Sequence, residues 1–102
     1  MIRHILLFSF RAETSPEAAA AMLHEFALFP RRFTQMRNWE LGLNESVRDD
    51  SFEYAMTVTF ENEAGLRDYL DSDEHEQFVA ERFRPLIKRR AIATFGLVPQ
   101  SP

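Results

Sequence analysis

The chain has no cysteine among its 102 residues. That absence removes disulfides, thiolate nucleophiles and cysteine-ligated metals together, and it suits a reducing compartment such as the cytoplasm. Glycine is scarce, with three residues in all, which leaves little material for a glycine-rich phosphate loop. Massed positive charge is missing too: the net charge is −4, whereas a nucleic-acid binder needs concentrated cations to displace counterions from phosphates. The densest basic stretches, Arg31/Arg32 and Lys88-Arg89-Arg90, are short, lack interleaved aromatics and read as solvated helix ends. No long apolar run occurs. "MIRHILLFSF" is too short to span a bilayer, and it has no small-residue cleavage site of the signal-peptide kind. His4, His24 and His75 lie far apart with no paired metal-ligand spacing. The acidic group Asp71, Asp73 and Glu74 stands where a helix start attracts negative charge. No motif calls for a metal or a cofactor.

What is present is a core. Hydrophobic residues make up 45% of the chain and include ten phenylalanines, enough for one domain, assigned to residues 1–98 with a short tail at 99–102. "IRHILLFSF" (Ile2 to Phe10) is β-branched and aromatic and reads as a strand with large apolar side chains on both faces. "TSPEAAAAMLHEF" opens a helix, with Thr14 or Ser15 as cap, Pro16 in the first turn and Glu17 complementing the dipole. Met22, Phe26, Phe29 and Phe33 recur at helical spacing as its buried stripe, His24 faces out, and Pro30 ends or kinks the helix.

"RNWELGLN" and "FEYAMTVTF" read as two further strands, "ENEAGLRDYL" as a helix capped by Asn62, and "HEQFVAERFRPLI" as a second helical segment loosened near Pro85. Its inner side is expected to carry Phe78, Val79, Phe83, Leu86 and Ile87, and "RAIATFGLV" is expected to form the last strand. The order β-α-β-β-α-β predicts an α+β, ferredoxin-like fold with a four-stranded antiparallel sheet and both helical segments on one face. The other face collects Ile5, Leu7, Ala55, Ala91, Ala93 and Phe95 among threonines. Soluble monomers seldom leave such a patch bare, so a homodimer stacked sheet on sheet is expected.

In "IRHILLFSF", "WELGLN", "SFEYAMTVTF", "YLDSDEHEQFV" and "FRPLIKRRAIATF", from about Ile2 to Val98, the chain resembles the stress-responsive A/B barrel domain family of dimeric α+β barrels. The family is mostly of unassigned biochemistry. A similar plant member is a polyketide cyclase that closes a ring by intramolecular aldol condensation without a cofactor. The resemblance implies a small-molecule pocket between sheet and helices, with Tyr69 and His75 as the catalytic positions and His4 on the first strand. It also implies a pocket wall of Leu6, Phe8, Met22, Phe26, Trp39, Tyr54, Met56 and Phe78. The chain departs from the family pattern at Ser72-Asp73-Glu74-His75, where His-Pro-x-His is common, and at Thr94-Phe95, where Asp-Tyr is common.

An aldol closure needs a base beside a carbonyl and a donor for the oxyanion; imidazole suits the first and a phenol the second. Two readings therefore stand. In one, His75 and Tyr69 make the chain a cofactor-independent cyclase or lyase. In the other, His75 is a hydrogen-bonded packing residue beside Phe78 in a non-enzymatic stress-related dimer. A cofactor-free monooxygenase, drawing on Trp39 and Asn38, is a weaker third.

Overall fold

Residues 1–98 are described by the computed structural model; the tail expected at 99–102 lies outside them. The first strand, β1 (Ile2–Phe10), leads through a turn to α1 (Pro16–Ala27). Ser15 caps α1 by accepting a 3.1 Å hydrogen bond from the Ala18 amide, and Pro16 occupies the first turn, where no amide donor is required. The chain breaks at Leu28 and resumes as the single turn α2 (Phe29–Arg32), which holds Pro30 in its first turn. The stripe of Met22, Phe26, Phe29 and Phe33 stays buried across that break.

Strands β2 (Arg37–Leu43) and β3 (Tyr54–Phe60) follow, then α3 (Glu63–Leu70) and α4 (Asp73–Phe78). Beyond α4 the chain forms a π turn (Val79–Phe83) and a 3-10 turn (Arg84–Leu86) before β4 (Ile87–Gly96). Pro85 gives this stretch its shape. It has no amide to donate, and its ring would meet the carbonyl four residues back in a regular helix, so the last turn widens and unwinds.

Two expectations need correction here. Ile87 is a buried strand residue opposite Phe10, not the inner face of a helix, and β4 begins three residues before Arg90. Lys88, Arg89 and Arg90 are therefore sheet-edge residues rather than a helix end; the unwound turns carry them onto β1.

The sheet order is β2-β3-β1-β4, antiparallel throughout, which is the ferredoxin-like arrangement. Register assigns the faces. Leu6 lies opposite Met56 and Ile92, and His4 opposite Val58 and Thr94, on the helix-covered side. Ile5 lies opposite Thr57 and Ala93, and Leu7 opposite Ala55 and Ala91, on the bare side, where Phe95 is 44% exposed. β2 carries a bulge between Arg37 and Glu40, where Asn38 takes the left-handed conformation (φ 51°) that asparagine tolerates better than most residues. The Cα envelope measures 48 × 36 × 18 Å, the thickness of one sheet and one helical layer.

Candidate functional site

The junction between α3 and α4 brings the two expected catalytic residues together. Tyr69 is in the last turn of α3 and His75 in the first turn of α4, with ring centroids 4.5 Å apart and planes at 60°. Ser72 joins them. Its hydroxyl donates to the Tyr69 carbonyl at 2.8 Å, and the same oxygen accepts the His75 amide at 3.1 Å as the α4 cap. In place of the commoner His-Pro pattern, this sequence thus supplies a capping serine that fixes the spacing of the pair.

The hydrogen bond of the His75 ring fixes its tautomer. Nδ1 lies 3.1 Å from the Leu70 carbonyl oxygen, which can only accept, so Nδ1 carries the proton and Nε2 presents a lone pair. Burial lowers the His75 pKa from its ordinary value; the Leu70 carbonyl and the Glu76 carboxylate oppose that shift without reversing it. The neutral, base-competent form is therefore favoured at neutral pH.

Tyr69 is 2% exposed, its ring stacked on Phe60 at 5.8 Å and edge-on to Phe33 at 4.9 Å. Burial drives its pKa upward, so the hydroxyl stays protonated and can act only as a donor or neutral acceptor. That hydroxyl has no hydrogen-bond partner among the described residues, and it is not sealed in either: the sealed, unpartnered side-chain atom among them is Trp39 Nε1.

His4, also buried, makes a 2.8 Å hydrogen bond through Nδ1 with Thr94 Oγ1 on the neighbouring strand. Thr94 stands where the family pattern often has aspartate, so His4 keeps a polar partner without an ionised one. Its pKa is lowered first by burial and then by the nearness of His75, since two adjacent imidazolium ions would repel. His4, Tyr69 and His75 thus form one neighbourhood drawn from β1, α3 and α4. His24 is exposed.

The apolar set named from the sequence lies in and around the same core. Phe8, Met22, Phe26, Met56 and Phe78 are buried, while Leu6, Trp39 and Tyr54 are half-buried. Their rings contact one another: Phe8 stacks on Tyr54 at 5.5 Å, and Phe26 meets both Trp39 and Phe78 at 5.5 Å. Open space lies on the outer side of His75 instead. A groove of about 430 Å³ is lined there by Leu70, His75, Glu76, Val79, Ala80 and Arg84. His75 faces the groove, and Tyr69 stands behind it in the core. Asp71, Asp73 and Glu74 are exposed, and among the described residues no three metal-ligating side chains converge. No helix is long and apolar enough to cross a membrane among these residues.

Sequence reasoning singled out His4, Tyr69 and His75, which the fold brings near one another, and gave no sign of the Leu70 carbonyl at the His75 ring, of the two hydrogen bonds of Ser72, or of Arg84 on the groove wall. A backbone carbonyl leaves no sequence signal. Arg84 could have been flagged only by foreseeing the π turn before Pro85.

The fold and this junction define a ferredoxin-like α+β domain of the kind that forms dimeric barrels. A family model described as the stress responsive A/B barrel domain matches residues 2–96, and the chain belongs to that family. Among solved structures it is similar to a Dabb family protein with a ferredoxin-like fold from Mesorhizobium loti (17% identity, 96% of this chain and 97% of that one, TM-score 0.85). It is similar to a hydroxynitrile lyase from Passiflora edulis (19% identity, 99% and 96%, TM-score 0.87). A third likeness is to a dimeric ferredoxin-like protein of unknown function from Thermobifida fusca (23% identity, 94% and 90%, TM-score 0.79). At these identities the likeness establishes the fold. A comparison with curated proteins found no match.

Proposed function

We propose that the chain binds a small organic carbonyl compound at the His75 groove and acts on it as a cofactor-independent cyclase or lyase. His75 Nε2 removes a proton beside the carbonyl, the Tyr69 hydroxyl donates to the developing oxyanion, and buried His4 stands near the pair, off the groove wall. In a ring closure the carbanion forms a C–C bond to a second carbonyl of the same molecule, and the imidazolium returns the proton to the new alkoxide. Atoms balance without an oxidant or reductant. The apolar set from Leu6 to Phe78 forms the wall behind the pair. The carrying observation is the Leu70 hydrogen bond, which leaves a neutral His75 with its lone pair on Nε2 beside a protonated phenol that has no partner among the described residues. The occurrence of a hydroxynitrile lyase on this fold supports the lyase arm.

The working unit we propose is a homodimer in a reducing compartment such as the cytoplasm. The bare sheet face supports this, with Ala93 and Phe95 exposed on it. So does a radius of gyration of 14.4 Å, against about 13 Å expected for a compact chain of this length.

The test is proton exchange. Simple 1,3-diketones in D2O should lose their α-proton NMR signal faster with the protein than with buffer, and His75→Gln should abolish the difference. No acceleration across the panel, or full acceleration by the variant, would refute the proposal. A non-enzymatic dimer is the second reading, favoured by the bonding of the His75 ring to the Leu70 carbonyl and by the ring-on-ring packing of Phe8, Phe26 and Phe78. The monooxygenase reading shares the fold-level support, since an antibiotic biosynthesis monooxygenase also has this fold, but Asn38 sits on the exposed edge strand β2, away from the His75 groove.

A further inference from the structure

A second depression of about 250 Å³ lies beside the His75 groove, between the π turn and the start of β4. Val79 and Arg84 line both, so the two depressions adjoin at these side chains. The π turn explains why these two residues meet: the Arg84 amide donates to the Val79 carbonyl five residues back, which sets both side chains on one face. The floor is apolar, with Val79, Phe83 and Ile87, and the walls carry Arg11, Arg84, Lys88 and Arg90, with Arg89 also at the lining. No carboxylate lines it. Arg89 reaches the other way, donating to the Ser51 carbonyl and covering the Phe52 ring at 5.0 Å. The ion pairs among the described residues are Arg67–Glu63 and Arg82–Glu25, so none of the four wall cations is neutralised by a neighbour.

Four unpaired cations over an apolar floor are unexpected in a chain of net charge −4. Self-repulsion between them is unfavourable until an anion arrives. Among the described residues lining the two depressions Glu76 is the one carboxylate, and it lies in the His75 groove, so positive charge is concentrated on the Arg11, Lys88 and Arg90 side.

We propose that the basic depression holds the anionic head group of the molecule processed at His75, with Arg84 as its main anchor. The substrate class is then an organic anion, carboxylate or phosphate, on an apolar body, with its reacting carbonyl away from the head group and under His75. Arg84 is a specificity residue in this scheme and takes no part in proton transfer. The proposal rests on the reading of His75 as the reacting base.

Titration calorimetry at low ionic strength tests it with octanoate, octyl phosphate, neutral octanamide and inorganic phosphate. Octanoate or octyl phosphate should bind about tenfold or more tightly than octanamide, as expected for a charge-assisted hydrogen bond, and the tighter of the two names the head group. Arg84→Gln should erase the preference and Arg84→Lys should restore part of it; both changes are on the surface. Equal affinity for octanamide would overturn the proposal, as would an anion preference that survives both Arg84→Gln and Arg90→Gln. Inorganic phosphate binding as well as octyl phosphate would overturn the role of the apolar floor. The His75 Cε1–H NMR signal separates this proposal from the one it rests on. Arg84-dependent binding that leaves the signal unmoved would sink the placement of the reacting carbonyl under His75. Diketone exchange that persists without any anion preference would sink the anion site alone.

Discussion

Replacing Tyr69 by phenylalanine removes one oxygen and leaves the ring. The ring touches Phe29, Phe33, Phe60 and His75, all within 6.1 Å between centroids, and those contacts survive the change. The hydroxyl has no partner among the described residues and is not sealed in, so the variant loses no hydrogen bond to them. A buried hydroxyl engaged in a structural bond costs about 1–3 kcal/mol when deleted. Here the expected change is within about 0.5 kcal/mol of zero, or a small gain. Tyr69→Ala is the contrast, because it empties the ring site and should cost about 3–5 kcal/mol. Urea titration measures both, at one fixed protein concentration because association shifts apparent stability. α-Proton exchange run alongside should fall about a hundredfold in Tyr69→Phe, the scale of losing one oxyanion donor. A loss above roughly 1.5 kcal/mol in Tyr69→Phe would refute the reasoning, since it would mean that the hydroxyl is structural.

Phe78→Ala should cost about 3–5 kcal/mol by urea titration, since the ring is 5% exposed and packs on Phe26 and Phe29. Both His4 and His75 have native pKa values below the ordinary 6.5, so the folded state binds fewer protons than the unfolded state under acid conditions. Stability from this source should be complete above pH 6.5 and lost as pH falls below it, and a His4→Gln/His75→Gln double variant should flatten that limb of the urea midpoint profile. Phe95→Glu, on the bare sheet face, should convert the proposed dimer to monomer in analytical ultracentrifugation; a dimeric mass in both wild type and variant would place the interface elsewhere.

The elements whose signals are local were legible in the sequence. Ser15-Pro16 and Asn62 start helices because capping is settled within one turn, and both act as caps in the fold. The alternation in "FEYAMTVTF" assigned the faces of β3 because a strand repeats every two residues. The stretch around Pro85 was misread. Its apolar spacing suits a helix, and only pairing of Ile87 with Phe10, Arg89 with Ser9 and Arg90 with Phe8 turns it into a strand. Tertiary hydrogen bonding outweighed local propensity there.

The site divides in the same way. Residue type and spacing alone marked which residues were eligible: a histidine and a tyrosine six positions apart across a capped helix junction, a second histidine on an apolar strand, and no thiol or metal motif. The tertiary structure decided their chemistry, because protonation state, tautomer and electrostatic field depend on burial and on partners distant in the chain. Thr94 reaches His4 from 90 residues away, and Arg84 joins the His75 groove only because a π turn rotates it there. Local pattern fixes what a short segment can become. Which proton a buried imidazole keeps, and which charge lies beside it, follows from the desolvation and contacts that folding alone creates.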